Sequence, residues 1–380
     1  MKKRWIAIIG IALLVKLVYF GFAVILEKSG DTGADPLSFR AFTQIFEKND
    51  SGWYLNIADS WYPKVTSRIE LGYSHDADYR QSPWAFFPMY PLLLRTTHLS
   101  TGMSVHLAGF CWAIIFSLLS FLLFYQLCRE FGIEEKESFY LTLVMIFFPF
   151  HYYFSVLYTE GIYFTFLALG FLSIKYNRYL LFSLIIMVLV MIRPNGIFMM
   201  VPLGLYFLEN KGILEGYKLR REKIDRKSLY QSLSFLPGFL IFIAYCLYQK
   251  QMTNEYFAFS IAQAGWYRRF MFPLLAFFRQ GNFATQFNSV YGIAMMIIAI
   301  LAWKRFPLSL NLLIWISLII PLCSGSVTSI QRFISVIFPL TIFFGSWMYK
   351  FRGRNWILAG LFGLQLFAFY FWLIQDPFSY

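Results

Sequence analysis

VHLAGFCWAIIFSLLSFLLFYQL, residues 105–127, runs for 23 positions without one Asp, Glu, Lys or Arg. A helix rises 1.5 Å per residue, so this stretch alone covers the ~30 Å hydrocarbon core of a bilayer. Ten more apolar runs lie along the chain: 5–26, 139–157, 161–174, 179–192, 197–208, 229–249, 285–303, 308–323, 333–349 and 355–374. They predict one all-α polytopic domain over residues 1–380, with about eleven transmembrane helices. Composition agrees, since 58% of the 380 residues are hydrophobic and only 14% charged, against about 25% charged in an ordinary globular domain. A cytosolic enzyme, a disordered chain and a disulfide scaffold are excluded.

The polar residues between the runs set the topology. The first run follows Met1-Lys2-Lys3-Arg4 but is too long for a signal peptide and lacks a small-residue cleavage pattern, so it reads as an uncleaved anchor. Lys16 in its middle is expected to snorkel or to face other helices. With the N-terminus in the cytoplasm, the inner segments are 1–4, 128–138, 175–178, 209–228, 304–307 and 350–354. They hold 19 of the 33 Lys and Arg but 8 of the 20 Asp and Glu. That bias obeys the positive-inside rule and puts the C-terminus outside. The net charge of +13 is thereby spent on orientation, with no basic face for nucleic acid. Segment 209–228 reads as a solvated cytoplasmic loop, and 27–104 and 250–284 as outer loops, the first with interfacial helices. The runs 179–192 and 197–208 flank Arg193-Pro194-Asn195-Gly196. One kinked helix is possible there, but it would move the basic segment 209–228 outside, so two short helices meeting at a turn are expected.

Chemistry is expected on the outer face, where the acids concentrate: Asp31, Asp35, Glu47, Asp50, Asp59, Glu70, Asp76 and Asp78. Asp50 opens Asn49-Asp50-Ser51-Gly52-Trp53-Tyr54. A carboxylate beside aromatic rings suits a sugar, whose apolar face stacks while the acid takes a hydroxyl proton; the same residue also reads as a helix N-cap. Trp84-Ala85-Phe86-Phe87-Pro88-Met89-Tyr90-Pro91, running on to Arg95, reads as an interfacial segment that could admit a lipid tail, or as a plain anchor belt. Glu160, Arg193, Arg268, Arg269 and Arg332 each stand at an outer helix end or beside an aromatic. Taken singly they are helix ends. Together they form an acid with several guanidiniums at one membrane face, a fit for a phosphate-bearing lipid. His75-Asp76-Ala77-Asp78 holds an Asp-x-Asp that is a weak metal candidate and otherwise an acidic turn. The four cysteines and four histidines show no ligand spacing.

In order, DSGWY (50–54), WAFFPMYPLLLR (84–95), YTEGIYF (158–164), IRPNG (192–196), QAGWYRR (263–269) and QRFISVIFPL (331–340) resemble the glycosylphosphatidylinositol mannosyltransferase 2 (PIG-V-like) family of C-fold (GT-C) membrane glycosyltransferases. The likeness spans residues 49 to 345 or so. It implies a large outer first loop with a catalytic acid, and a polyprenyl-phosphate sugar as donor. By position, Asp50 matches the acid of the first loop, Glu160 that of the second, and Arg332 the Arg opening the late helix. Arg193 and Asn195 match the family's Arg-Ser-Asn-Gly turn, with Pro194 in place of Ser. The short basic connections look bacterial, and a bacterium makes no such anchor, so the acceptor does not carry over.

The expected activity is inverting transfer of a sugar, taken as mannose, from polyprenyl phosphate to a lipid or glycan acceptor outside the cell membrane. Asp50 is the expected base and Glu160 the orienting acid. Arg193 and Arg332 are expected on the donor phosphate with Arg268 and Arg269 behind them, and Trp53, Tyr54, Asn195 and Gln331 on the substrates. No cofactor is required, because guanidinium forks can hold a phosphate leaving group; Asp76 and Asp78 leave room for a divalent ion. Two rivals bind similar ligands: a lipid-linked sugar flippase or transporter, and an oligosaccharide polymerase or ligase using a diphosphate-linked donor. The transporter reading is weakened by the lack of an internal repeat.

Overall fold

The computed structural model describes residues 2–29, 43, 45–72 and 80–379, with side chains omitted for 27–29 and 379. Among these the chain is all-α apart from one antiparallel ribbon, Leu214–Glu215 against Lys218–Leu219. Every one of the eleven apolar runs holds a helix. Five helices are long and apolar enough to cross a membrane: Lys2–Leu26, Val105–Glu130, Arg226–Thr253, Phe283–Arg305 and Arg354–Leu373. The chain is an all-α, membrane-embedded protein. The other six helices run from 11 to 16 residues.

Proline explains why several are short. The run 139–157 stops being helical at Phe147, because Phe148 precedes Pro149 and sits in an extended conformation. A tight turn, His151–Phe154, follows before the next helix starts at Glu160. The run 333–349 is likewise divided, into Ile330–Ser335 and Phe338–Tyr349, ahead of Pro339.

Short helices need protein around them at membrane depth, since their ends carry unsatisfied backbone groups. Glu160–Lys175 meets this need most fully, with all but three of its 16 residues buried. Small residues let its neighbours close in: Gly161 packs against Phe116, and Gly170 against Leu203. Ser120 Oγ donates to Gly161 O at 3.0 Å and lies 3.2 Å from Thr165 Oγ1. The long helices form the periphery and keep large apolar residues exposed, such as Leu14, Leu17, Phe239, Ile297 and Phe367.

At Arg193 the chain leaves helix Tyr179–Ile192 in an extended conformation and turns through Pro194–Met199 into Met200–Asn210. Gly196 makes the turn possible, because a Cβ there would lie 2.4 Å from Leu189 O. The two helices run antiparallel. Lys211, just past the end of the second, donates to Asn177 Oδ1 at 3.1 Å and lies over the ring of Tyr179, the first residue of the first. Lys16 does not snorkel; it donates to Ser117 Oγ at 2.9 Å and Ser155 Oγ at 2.8 Å, facing its neighbours.

Candidate active site

Four chain segments far apart in sequence meet at one end of helix Glu160–Lys175. Asp50 precedes helix Ser51–Ser60, Glu160 opens its own helix, Arg193 stands in the break after Ile192, and Arg332 lies in Ile330–Ser335. Arg332 donates through Nε to Glu160 Oε1 at 2.9 Å, and through a terminal nitrogen to Asp50 Oδ2. Arg193 Nη2 sits 2.6 Å from the same Glu160 oxygen, and its Nε donates to Thr159 Oγ1 at 2.6 Å. One carboxylate oxygen thus serves two guanidiniums.

Burial separates the roles. The Glu160 side chain is 0% exposed, Arg193 7%, Arg332 9% and Asp50 27%. In a low-dielectric interior an unpaired charge is costly, and paired charges hold each other in place. Asp50 is the accessible member. Its side chain makes no cap bond to helix Ser51–Ser60, so the N-cap reading describes its place in the backbone and not the work of its carboxylate.

Aromatic rings enclose the charges. The Arg332 guanidinium lies 4.0 Å from the ring centre of Tyr158 and that of Arg193 5.2 Å from Tyr163, a cation–π arrangement that partly replaces water. Trp372 Nε1 donates to the Tyr158 hydroxyl at 3.2 Å and fixes that ring. Beside Asp50, Trp53 stacks on Phe86 at 5.9 Å, and Trp266 meets both rings edge-on. Trp266 reaches them because Gly265 lets its turn press onto the backbone of Arg80 and Gln81, where a Cβ would stand 2.5 Å from Arg80 O. The Tyr54 hydroxyl lies 3.3 Å from Thr159 Oγ1, and burial pushes its pKa up to about 12, so it remains a neutral hydroxyl.

The other expected residues differ in their surroundings. Arg268 donates to Gln263 Oε1 at 3.0 Å. Burial pushes its pKa down, the negative charge of Asp50 opposes that, and the like charge of Arg332 adds to it, which places Arg268 in the electrostatic neighbourhood of the cluster. Arg269 ties the same loop to Ser324 O through its backbone N–H at 2.9 Å. Asn195 is buried beside the break with its Oδ1 unpartnered. Gln331 turns the other way: its amide donates to Asn288 Oδ1 and, at 3.5 Å, to Phe378 O. Adjacent residues on a helix diverge by about 100°, so Gln331 points away from the Arg332 guanidinium, and its Oε1 has no partner among the described residues. Asp76 and Asp78 lie outside the described residues, as do Asp31 and Asp35. Thr159, Tyr158, Phe86 and Trp266 stand inside the quoted motifs, but the sequence reading gave none of them a role in the site.

Three guanidiniums, Arg193, Arg268 and Arg332, stand against two carboxylates, leaving an excess of one positive charge. Among the described residues Arg193 Nη1 is buried with no partner, and so is Glu160 Oε2. Such atoms cost free energy unless a ligand or water meets them. An anion with several oxygens, next to a partly exposed carboxylate and a ring-lined wall, is what the arrangement can hold. The chain matches no protein-family model and no curated protein.

Proposed function

We propose that the protein is an inverting membrane glycosyltransferase that moves a sugar, taken as mannose, from a polyprenyl-phosphate donor to a lipid or glycan hydroxyl. The observation that carries this reading is that Asp50, the partly exposed acid, shares Arg332 with the fully buried Glu160. A phosphodiester donor carries one negative charge, which the excess guanidinium charge matches; a diphosphate donor carries two.

In the reaction the acceptor hydroxyl attacks the anomeric carbon from the face opposite the phosphate. The carbon–oxygen bond to phosphate breaks, the hydroxyl proton passes to Asp50, and polyprenyl phosphate leaves with a second negative charge. Arg332 and Arg193 face that developing charge, and charge stabilisation of this kind is often the largest catalytic term. Glu160 acts by holding both guanidiniums, which revises its expected role of orienting the acceptor. Trp53, Phe86 and Trp266 offer faces on which a sugar ring can stack.

In this reading all eleven helices span a cell membrane, with the N-terminus in the cytoplasm and the C-terminus and cluster on the outer side. Support comes from the cluster lying at the end of the helices opposite Lys175, Lys211 and the basic segment 209–228. A flippase reading is favoured by one observation, the partly buried Lys16 held by two serines, since ionisable groups at membrane depth often mark a transport path. Mixing purified protein with radiolabelled polyprenyl-phosphate-mannose and an extract of lipid and glycan acceptors separates the two. Free polyprenyl phosphate accumulates if the protein is a transferase; intact donor throughout means that it is not.

A further inference from the structure

At the far end of the helices from the charge cluster, a groove of about 640 Å³ opens between the start of helix Tyr179–Ile192 and the segment 226–234. The catalytic reading does not use it. Arg226 and Lys227 line one wall, and among the described residues neither has a carboxylate within 4 Å. Asp225, next in sequence, is engaged in capping, accepting from Ser228 N at 2.8 Å. The lining holds two polar atoms without partners among the described residues: Ser234 Oγ, on a residue only 8% exposed, and Gln231 Oε1. One can donate a hydrogen bond, and the other only accepts.

The rim is apolar. Leu180 and Leu233 line the groove and are 83% and 59% exposed. The exposed apolar surface continues from Leu233 through Leu236 to Leu240 along the span Arg226–Thr253. A soluble anion or a nucleic acid would gain nothing from that track, whereas an acyl chain would lie along it. Basic pockets where helices leave the membrane are suited to anionic headgroups. The accepting Gln231 Oε1 adds a requirement that the phosphodiester of a lipid cannot meet by itself, since it carries no hydrogen-bond donor, namely a hydroxyl on the headgroup.

We infer that this groove binds an anionic phospholipid with a hydroxyl-bearing headgroup, of the phosphatidylglycerol type. Arg226 and Lys227 take the phosphate, Gln231 accepts from a headgroup hydroxyl, Ser234 donates to a phosphate or ester oxygen, and one acyl chain follows Leu233 to Leu240.

The test uses the full chain, reconstituted in vesicles of equal phosphatidylglycerol and phosphatidylcholine and then released for native mass spectrometry. Wild type should retain phosphatidylglycerol over phosphatidylcholine by about thirtyfold, on the scale expected for two cations at a membrane surface. Arg226→Gln with Lys227→Gln should lower that preference several-fold, and Ser234→Phe, which fills the groove, should lower it too. Lys218→Gln with Arg221→Gln, outside the groove, should leave it unchanged. Three results overturn the inference. One is equal retention by wild type and the Arg226/Lys227 variant. Another is an equal drop in the Lys218/Arg221 control, which would mean a diffuse charge effect. The last is displacement of the lipid by millimolar inorganic phosphate, which would mean a simple anion site.

Discussion

Arg332 and Arg220 each have two carboxylate neighbours, yet they belong to different kinds of chemistry. Arg220 sits in the basic segment with Glu215 at 2.8 Å and Glu222 at 3.8 Å, and all three side chains are 38% to 67% exposed. Arg332 has Glu160 and Asp50, and none of the three exceeds 27%. Water screens the first set and competes for every bond in it. The second set is sealed by Tyr158, Tyr163 and Trp372, so its charges depend on one another. The pairing of types is the same; the surroundings decide whether it is a solvated surface or a buried, interdependent cluster.

Removing a buried member should break that contrast most severely. Glu160→Gln leaves two guanidiniums without their shared countercharge and is expected to cost about 3–5 kcal/mol, read as a fall in the thermal unfolding midpoint in detergent. An unchanged midpoint would mean that the network does not hold the fold. Arg332→Lys keeps the charge but cannot serve two carboxylates as a fork. It should leave a folded protein whose turnover drops about 10²–10³-fold, the loss expected when one charge-stabilising donor is removed; full activity would show that only net charge matters there.

Smaller changes sharpen the comparison. Thr159→Val removes the acceptor of the Arg193 Nε bond and the neighbour of the Tyr54 hydroxyl. Leaving a buried donor unsatisfied costs about 1–3 kcal/mol, and chemical unfolding of the variant should show a loss in that range. At the bottom of the scale, Arg220→Gln should change stability by about 0.2–1 kcal/mol or less and leave donor turnover alone. A loss as large as that of Glu160→Gln would erase the distinction between the two regions.

How much of this was legible in the sequence depends on the range of the forces involved. Helices were readable because apolar runs and prolines act locally: Tyr179–Ile192 ends where Arg193-Pro194 makes it end. The long run 139–157 was misjudged at its end, although Pro149 announced the break at Phe148. The gathering of Asp50, Glu160, Arg193 and Arg332 at one end of the helices was readable as a set of outer helix ends. Their pairing was not, because Asp50 and Arg332 are 282 residues apart and nothing local records the contact. For the same reason the N-cap reading of Asp50 stayed open: the nearby backbone offered a partner, and the distant guanidinium took the carboxylate. Gln331 stands next to Arg332 in sequence, yet its amide goes to Asn288 and Phe378, contacts that no local pattern records. Thr159 was passed over although it touches Arg193 and Tyr54, since a threonine before a helix reads as an N-cap and its distant partners leave no local trace.

The central claim is that the Asp50 carboxylate receives the acceptor proton, and one substitution tests it most directly. Asp50→Asn keeps size and shape but cannot take a full proton, and its partly exposed site should tolerate the change without unfolding. Single-turnover measurements with polyprenyl-phosphate-mannose should show donor binding close to wild type and sugar transfer slowed about 10²–10⁴-fold. Transfer at the wild-type rate by folded Asp50→Asn protein would contradict the account and leave Asp50 as a helix start paired with an arginine.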